Sequence, residues 1–218
     1  MMTVSYDEAV HSYIGVTLIT LAAIGAFLVD RRGAPPWWRH VWLALAVFLA
    51  YITVLPADAA TPHVQHVRDQ DPWLAPVRLL LALDWPETWW RDLREPHVLQ
   101  HKLAGLCIAA PALAEWWIRR PVPPPAARYL QWLAPAALMG LAVIFSVHRP
   151  THVHAGHSPD MAAMEAELFQ HWVIATAFAT SALALSLARL RPLQAYIPAR
   201  AWYAFLGLAG LGFLAFRV

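Results

Sequence analysis

From residue 148 to residue 171 the chain reads His148-Arg-Pro-Thr-His152-Val-His154-Ala-Gly-His157-Ser-Pro-Asp160-Met161-Ala-Ala-Met164-Glu165-Ala-Glu167-Leu-Phe-Gln170-His171. Imidazole suits copper(II) and zinc, thioether selects copper(I), and a carboxylate completes a site or orients a ligand histidine. The single cysteine, Cys107, excludes a disulfide framework and a thiolate zinc site. Histidine with methionine and without a cysteine pair favours copper over zinc. A helix starting near Pro159 would place Met161, Met164, Glu167 or Leu168, and His171 on one stripe running from a loop into an apolar segment. His152, His154, His157, His171 and Met164 are the first-choice ligands, with His101 as a bridge to the apolar segment at 98–117 and Met161 and Glu167 in support. A solvated loop, a switch using ordinary histidine titration and a subunit interface are the competing readings.

A second pair, His63 and His66, has the three-residue spacing that can chelate on a turn or helix, a spacing also common on solvated surfaces. A repeat links two other histidines. Glu95-Pro-His97-Val-Leu-Gln100-His101 aligns with Glu165-Ala-Glu167-Leu-Phe-Gln170-His171, and each Gln-His opens an apolar run. Glu8 and His11 give a weaker echo, and Gly15, Gly105 and Ala175 each follow a histidine by four positions. A small residue one turn deeper on the same face lets a neighbouring helix approach, so these histidines are expected to face a bundle. Ionisable groups at membrane depth pair, line a cavity or bind something. The plainer alternative is interfacial imidazoles bonded to Gln100, Gln170 or backbone. His101 and His171 are also the pair that could ligate a b-type haem, although they lie nearer an interface than the usual four-helix haem arrangement places its ligands.

The elements that must position these residues are hydrophobic helices. Of 218 residues 59% are hydrophobic and 14% charged, and the mean hydropathy is +0.45. This composition is too apolar for an ordinary soluble domain. Crossing a hydrocarbon core of about 30 Å takes roughly 17 to 25 apolar residues as helix, and open sheets are excluded there because a crossing segment must satisfy its own backbone. Candidate segments lie at about 12–29, 41–56, 98–117, 129–147, 169–188 and 201–216. The expectation is one polytopic all-α membrane domain over 1–218: six transmembrane helices as three hairpins, both termini outside, with outer loops at about 57–97 and 148–168.

Charge sets the orientation. Arg31, Arg32, Arg39, Arg119, Arg120, Arg128, Arg189, Arg191 and Arg200 fall in alternate connections with only Asp30 and Glu115 against them, a net charge of about +7. The positive-inside rule makes that side cytoplasmic. Ten of the eleven histidines lie on the other, acidic side, His40 being the exception. An acidic outer face argues for cations and against nucleic acid. Trp73 to Leu81, too short to cross, is expected to lie along the outer interface as a short amphipathic helix. Trp37-Trp38 and Trp116-Trp117 suit the inner aromatic belt, and Arg120 to Pro125 a stiff inner linker. Asp7 and Glu8 stand where a secretory leader would be basic, so the first helix is expected to be retained.

On Gln100-His101, Gln170-His171 and the histidine- and methionine-rich loop, the chain resembles multi-helix membrane proteins of bacterial copper handling, including the copper resistance D type, over 95–117 and 148–188. The resemblance implies an outward copper site on hydrophobic helices in a bacterial inner membrane. No glycine-rich phosphate cradle and no nucleophile with its paired base is evident, so ATP hydrolysis and peptidase activity are poorly supported, and whether the chain is an enzyme stays open. Three functions follow as expectations: copper or other transition-metal holding or delivery on the periplasmic face; electron transfer through haem b; or a noncatalytic subunit with protein partners in a larger membrane complex.

Overall fold

A computed structural model describes residues 6–29, 35, 37–54, 66–67, 70–82, 96–118, 124–147, 161–190 and 200–215. Its elements are α1 (Tyr6–Ile24), which runs into a π-helical stretch at Gly25–Val29, then α2 (Trp38–Val54), α3 (Ala75–Ala82), α4 (Pro96–Ile118), α5 (Ala127–Leu130), α6 (Leu133–Val147), α7 (Met161–Arg189) and α8 (Ala201–Leu214). Every regular element among the described residues is helical, as an apolar chain that must satisfy its own backbone requires. Glu8–Phe27, Ala127–Val147 and Met164–Arg189 are long and apolar enough to cross a membrane.

The outward faces are apolar too. Leu106, Val143, Leu183 and Leu211 are each more than half exposed, and a continuous apolar exterior of this kind suits lipid rather than water. The described parts of the six expected segments all appear as helix; α2, with 17 residues, stands at the lower limit for a crossing, and α8, with 14, falls below it. The 14 residues of α8 rise only about 21 Å.

The six main helices form a closed ring in chain order: α1 packs on α2, α2 on α4, α4 on α6, α6 on α7, α7 on α8, and α8 returns to α1. Glycine closes it. A Cβ added at Gly15 would stand 2.7 Å from the carbonyl oxygen of Gly210, and one at Gly210 would stand 2.8 Å from that of Gly15. Gly105 does the same for α4 and α2, with its hypothetical Cβ 3.0 Å from the Ala50 oxygen. The small residues four positions after His11 and His101 therefore bring a neighbour in close, as their spacing predicts. Ala175, after His171, is buried.

The segment expected along the outer interface is helical, but one face of it belongs to the protein. Asp71 Oδ1 accepts the backbone N–H groups of Trp73 and Leu74 at 3.1 and 3.2 Å, starting α3. Ala75 and Leu79 are buried in the bundle core, and the Tyr13 hydroxyl donates to the Trp73 carbonyl at 2.9 Å, tying this turn to α1.

Candidate functional site: a histidine-lined cavity at one end of the ring

At one end of the ring, all six main helices contribute to a cavity of about 30 Å³, space for one or two water-sized guests. The histidines come from alternate helices: His11 on α1, His101 on α4 and His171 on α7. The other three helices supply Thr53, Phe145 and Phe213, each within a turn of its helix's C-terminus. α2, α6 and α8 end at this level, whereas α1, α4 and α7 enter it from their N-terminal sides, α7 after ten residues of helix, which makes ring neighbours antiparallel.

His101 is held by backbone. Its Nδ1 lies 2.8 Å from the carbonyl oxygen of Thr53, one of the last four carbonyls of α2, which lack an intrahelical donor. A carbonyl only accepts, so Nδ1 carries the proton and Nε2 the lone pair of the neutral ring, the arrangement metal-binding histidines adopt. The close approach at Gly105, one turn deeper on α4, brings the Thr53 carbonyl within reach. Gln170 serves the end of α8 comparably, its amide donating to the Ala215 carbonyl at 2.9 Å.

Aromatic rings fill the space between the other two histidines. His11 stacks on Phe213 with centroids 5.9 Å apart and planes 19° from parallel. Phe213 meets Phe145 edge to face at 5.4 Å, and Phe145 lies 6.0 Å from His171. His171 is buried, at 5% exposure. Below this layer Leu18, Ile52, Leu141, Ile174 and Phe178 are all buried in one apolar core.

Of the expected ligands, His101 and His171 share this cavity. Met164 and Glu167, both partly buried, lie one to two turns from His171 toward the start of α7, and Met161 opens that helix. His66 is exposed and receives the Gln70 amide at 2.9 Å. His63, His148, His152, His154 and His157 lie outside the described residues, as does the loop that bears the last four. Among the described residues, no three His, Cys, Asp or Glu side chains are grouped closely enough to hold a metal ion as they stand.

His11, Thr53, Phe145 and Phe213 line the cavity and were not among the expected site residues. His11 had a faint signal in the Glu8-His11-Gly15 echo. The Thr53 carbonyl and the Phe145–Phe213 pair had none.

At the other end of the ring, Arg189 at the end of α7 pairs with Glu115 near the end of α4. Their side chains are only 16% and 12% exposed. Trp116 Nε1 donates to His40 Nδ1 at 3.1 Å and Arg39 Nε donates to His40 Nε2 at 3.4 Å. His40 is thus engaged both by an aromatic residue of α4 and by its neighbour in sequence. No family model, curated relative or solved structure matches the chain.

Proposed function

We propose that the chain is a bacterial inner-membrane protein that binds copper, or another transition metal, at its outward-facing end and holds or delivers it there. The observation that carries this reading is the pairing of His101 and His171 in one cavity, with His101 Nδ1 committed to the Thr53 carbonyl. The ring nitrogen with its lone pair is then Nε2. The connection from Val147 to Met161, which contains His152, His154 and His157, starts and ends on the helices that carry Phe145 and His171. Those histidines, with Met164, Met161 and Glu167, form the outer donor group, and His63 and His66 supply a further outer pair.

Six crossings, with both termini and the donor-rich loops on the periplasmic side, fit the arginine asymmetry and the alternating helix directions. Among the described residues, the apolar core below the cavity, from Leu18 to Phe178, offers few ligands beyond Cys107. Holding or delivery at one face is therefore favoured over passage through the bundle, with membrane lipid and proteins of a larger membrane complex as partners.

Elemental analysis and a visible spectrum of the purified full chain test the proposal. The expected result is stoichiometric copper, strongly reduced when His152, His154 and His157 are all changed to alanine, with helical content retained. A Soret band that shifts on reduction and disappears with His101→Ala would replace copper by haem b. Co-purifying proteins with neither metal nor haem would leave a noncatalytic subunit.

A further inference from the structure

Two polar levels bound the ring, and α4 and α7 measure the distance between them. At the outer level His101 and His171 line the same cavity, and at the inner level Glu115 pairs with Arg189. Glu115 stands 14 residues after His101 on α4, a rise of about 21 Å, and Arg189 stands 18 residues after His171 on α7, a rise of about 27 Å. Both paths join the same two levels. The shorter one therefore limits the height, and the excess on α7 is taken up by inclination of that helix and by the reach of the Arg189 side chain.

The last helix gives the same height independently. α8 is capped at Arg200 and Ala215, and the Ala215 carbonyl accepts from the amide of Gln170, the residue before His171, which sets this end of α8 at the outer level. The 14 residues between the caps rise about 21 Å.

The outward surface keeps to these limits. Leu106 and Leu113 on α4, Leu183 on α7 and Leu208 and Leu211 on α8 are exposed between them. Exposed indoles stand at the limits themselves: Trp172, next to His171, is 58% exposed, and Trp117, two residues after Glu115, is 48% exposed. Tryptophan gathers at the headgroup level of a membrane. Polar pairs and indoles thus mark the same edges of one apolar belt.

That belt is short. A typical hydrocarbon core is about 30 Å thick, so the shortfall is roughly a third. A core of that thickness would draw the histidine cavity or the Glu115–Arg189 pair into hydrocarbon, where ionisable groups are costly. Thinning of the surrounding bilayer removes the conflict.

We propose that the perimeter of the ring is matched to a thin bilayer and collects phospholipids with short acyl chains. The proposal rests on the membrane-crossing reading above and does not depend on the metal. It also sets the histidine cavity at the depth of the outer headgroups rather than within the hydrocarbon.

The test reconstitutes the full chain in fluid vesicles of dimyristoleoyl, dioleoyl or dierucoyl phosphatidylcholine, in order of increasing chain length. Competition with brominated dioleoyl phosphatidylcholine, which quenches tryptophan on contact, gives the relative affinity of each lipid for the perimeter. Dimyristoleoyl lipid is expected to bind at least about twofold more tightly than dierucoyl lipid, and the thermal unfolding midpoint is expected to be highest in it. The double change Glu115→Leu with Arg189→Met, at unchanged helical content, removes the inner polar level and should move the preference toward dioleoyl lipid. Equal affinities, or tighter binding of a longer chain by the parent, overturn the match to a thin bilayer. The crossing itself still stands if His40→Cys and His66→Cys, in the Cys107→Ser background, are labelled from opposite faces of sealed inner-membrane vesicles. An unchanged preference in the double variant overturns the ion pair as the inner edge and, with it, the height of the belt. Labelling of both positions from one face removes the crossing and the belt together.

Discussion

His101 donates from Nδ1 to the carbonyl oxygen of Thr53 at 2.8 Å, so a side chain near the start of α4 satisfies the end of α2. The same contact orients the ring and fixes which nitrogen carries the lone pair. Changing His101 to alanine should therefore act twice. Leaving the Thr53 carbonyl without its donor should cost about 1–3 kcal/mol, visible as a lower thermal unfolding midpoint by circular dichroism in detergent. Bound copper should fall in the same preparation. An unchanged midpoint would mean that water replaces the imidazole at no cost.

The contact between Gly15 and Gly210 leaves no room for a side chain on either helix. Gly210→Val should force α1 and α8 apart and destabilise the ring by about 1–3 kcal/mol or more, since backbone cannot rotate out of the way as a side chain can. Gly207→Ala is the control. Its added Cβ would meet the Ala22 Cβ at 3.7 Å, an ordinary contact, so its stability should stay within about 0.5 kcal/mol of the parent. Equal losses for both variants would contradict the close packing described.

Glu115 and Arg189 join α4 to α7 with little exposure to solvent. Glu115→Gln should destabilise by about 3 kcal/mol, because it leaves a guanidinium mostly buried without its counter-charge. The double change Glu115→Leu with Arg189→Met should recover most of that loss, since neither desolvated charge then remains. Chemical unfolding of the three variants in one detergent gives the comparison, and a double variant no better than Glu115→Gln would assign the cost to packing instead.

His40 and His66 are predicted to lie on opposite sides of the membrane. Single cysteines at these positions, in a Cys107→Ser background, should react with an impermeant maleimide from opposite faces of sealed inner-membrane vesicles. Labelling of both from one face would overturn the orientation read from the arginines.

Helix placement was legible because a long apolar run has to satisfy its own backbone hydrogen bonds, and the described parts of all six runs are helical. Their ends were less so. The apolar signal stops where polar residues begin, yet α1 continues outward to Tyr6 and α7 to Met161. The inward aim of His101 and His171 was also legible, since a small residue one turn deeper on the same face marks where another helix fits. His11 carried that signal without the glutamine that accompanies the others. That backbone would hold one of these imidazoles was the plainer alternative, and His101 bears it out; which carbonyl it would be left no trace, because every residue type supplies one. Phe145 and Phe213 read as generic apolar positions, and only their placement at two helix ends makes them walls of the cavity. The closure of α8 onto α1 depends on glycines separated by most of the chain, a relationship that local periodicity does not carry.

That closure also bears on how the molecule is made. His11 belongs to the earliest of the ring helices to leave the ribosome and Phe213 to the latest, so the cavity has no complete wall until translation has passed α8. A polypeptide stalled before that point would present the glycine-bearing face of α1 to lipid or to a chaperone, with the cavity still open on the side that Phe213 closes.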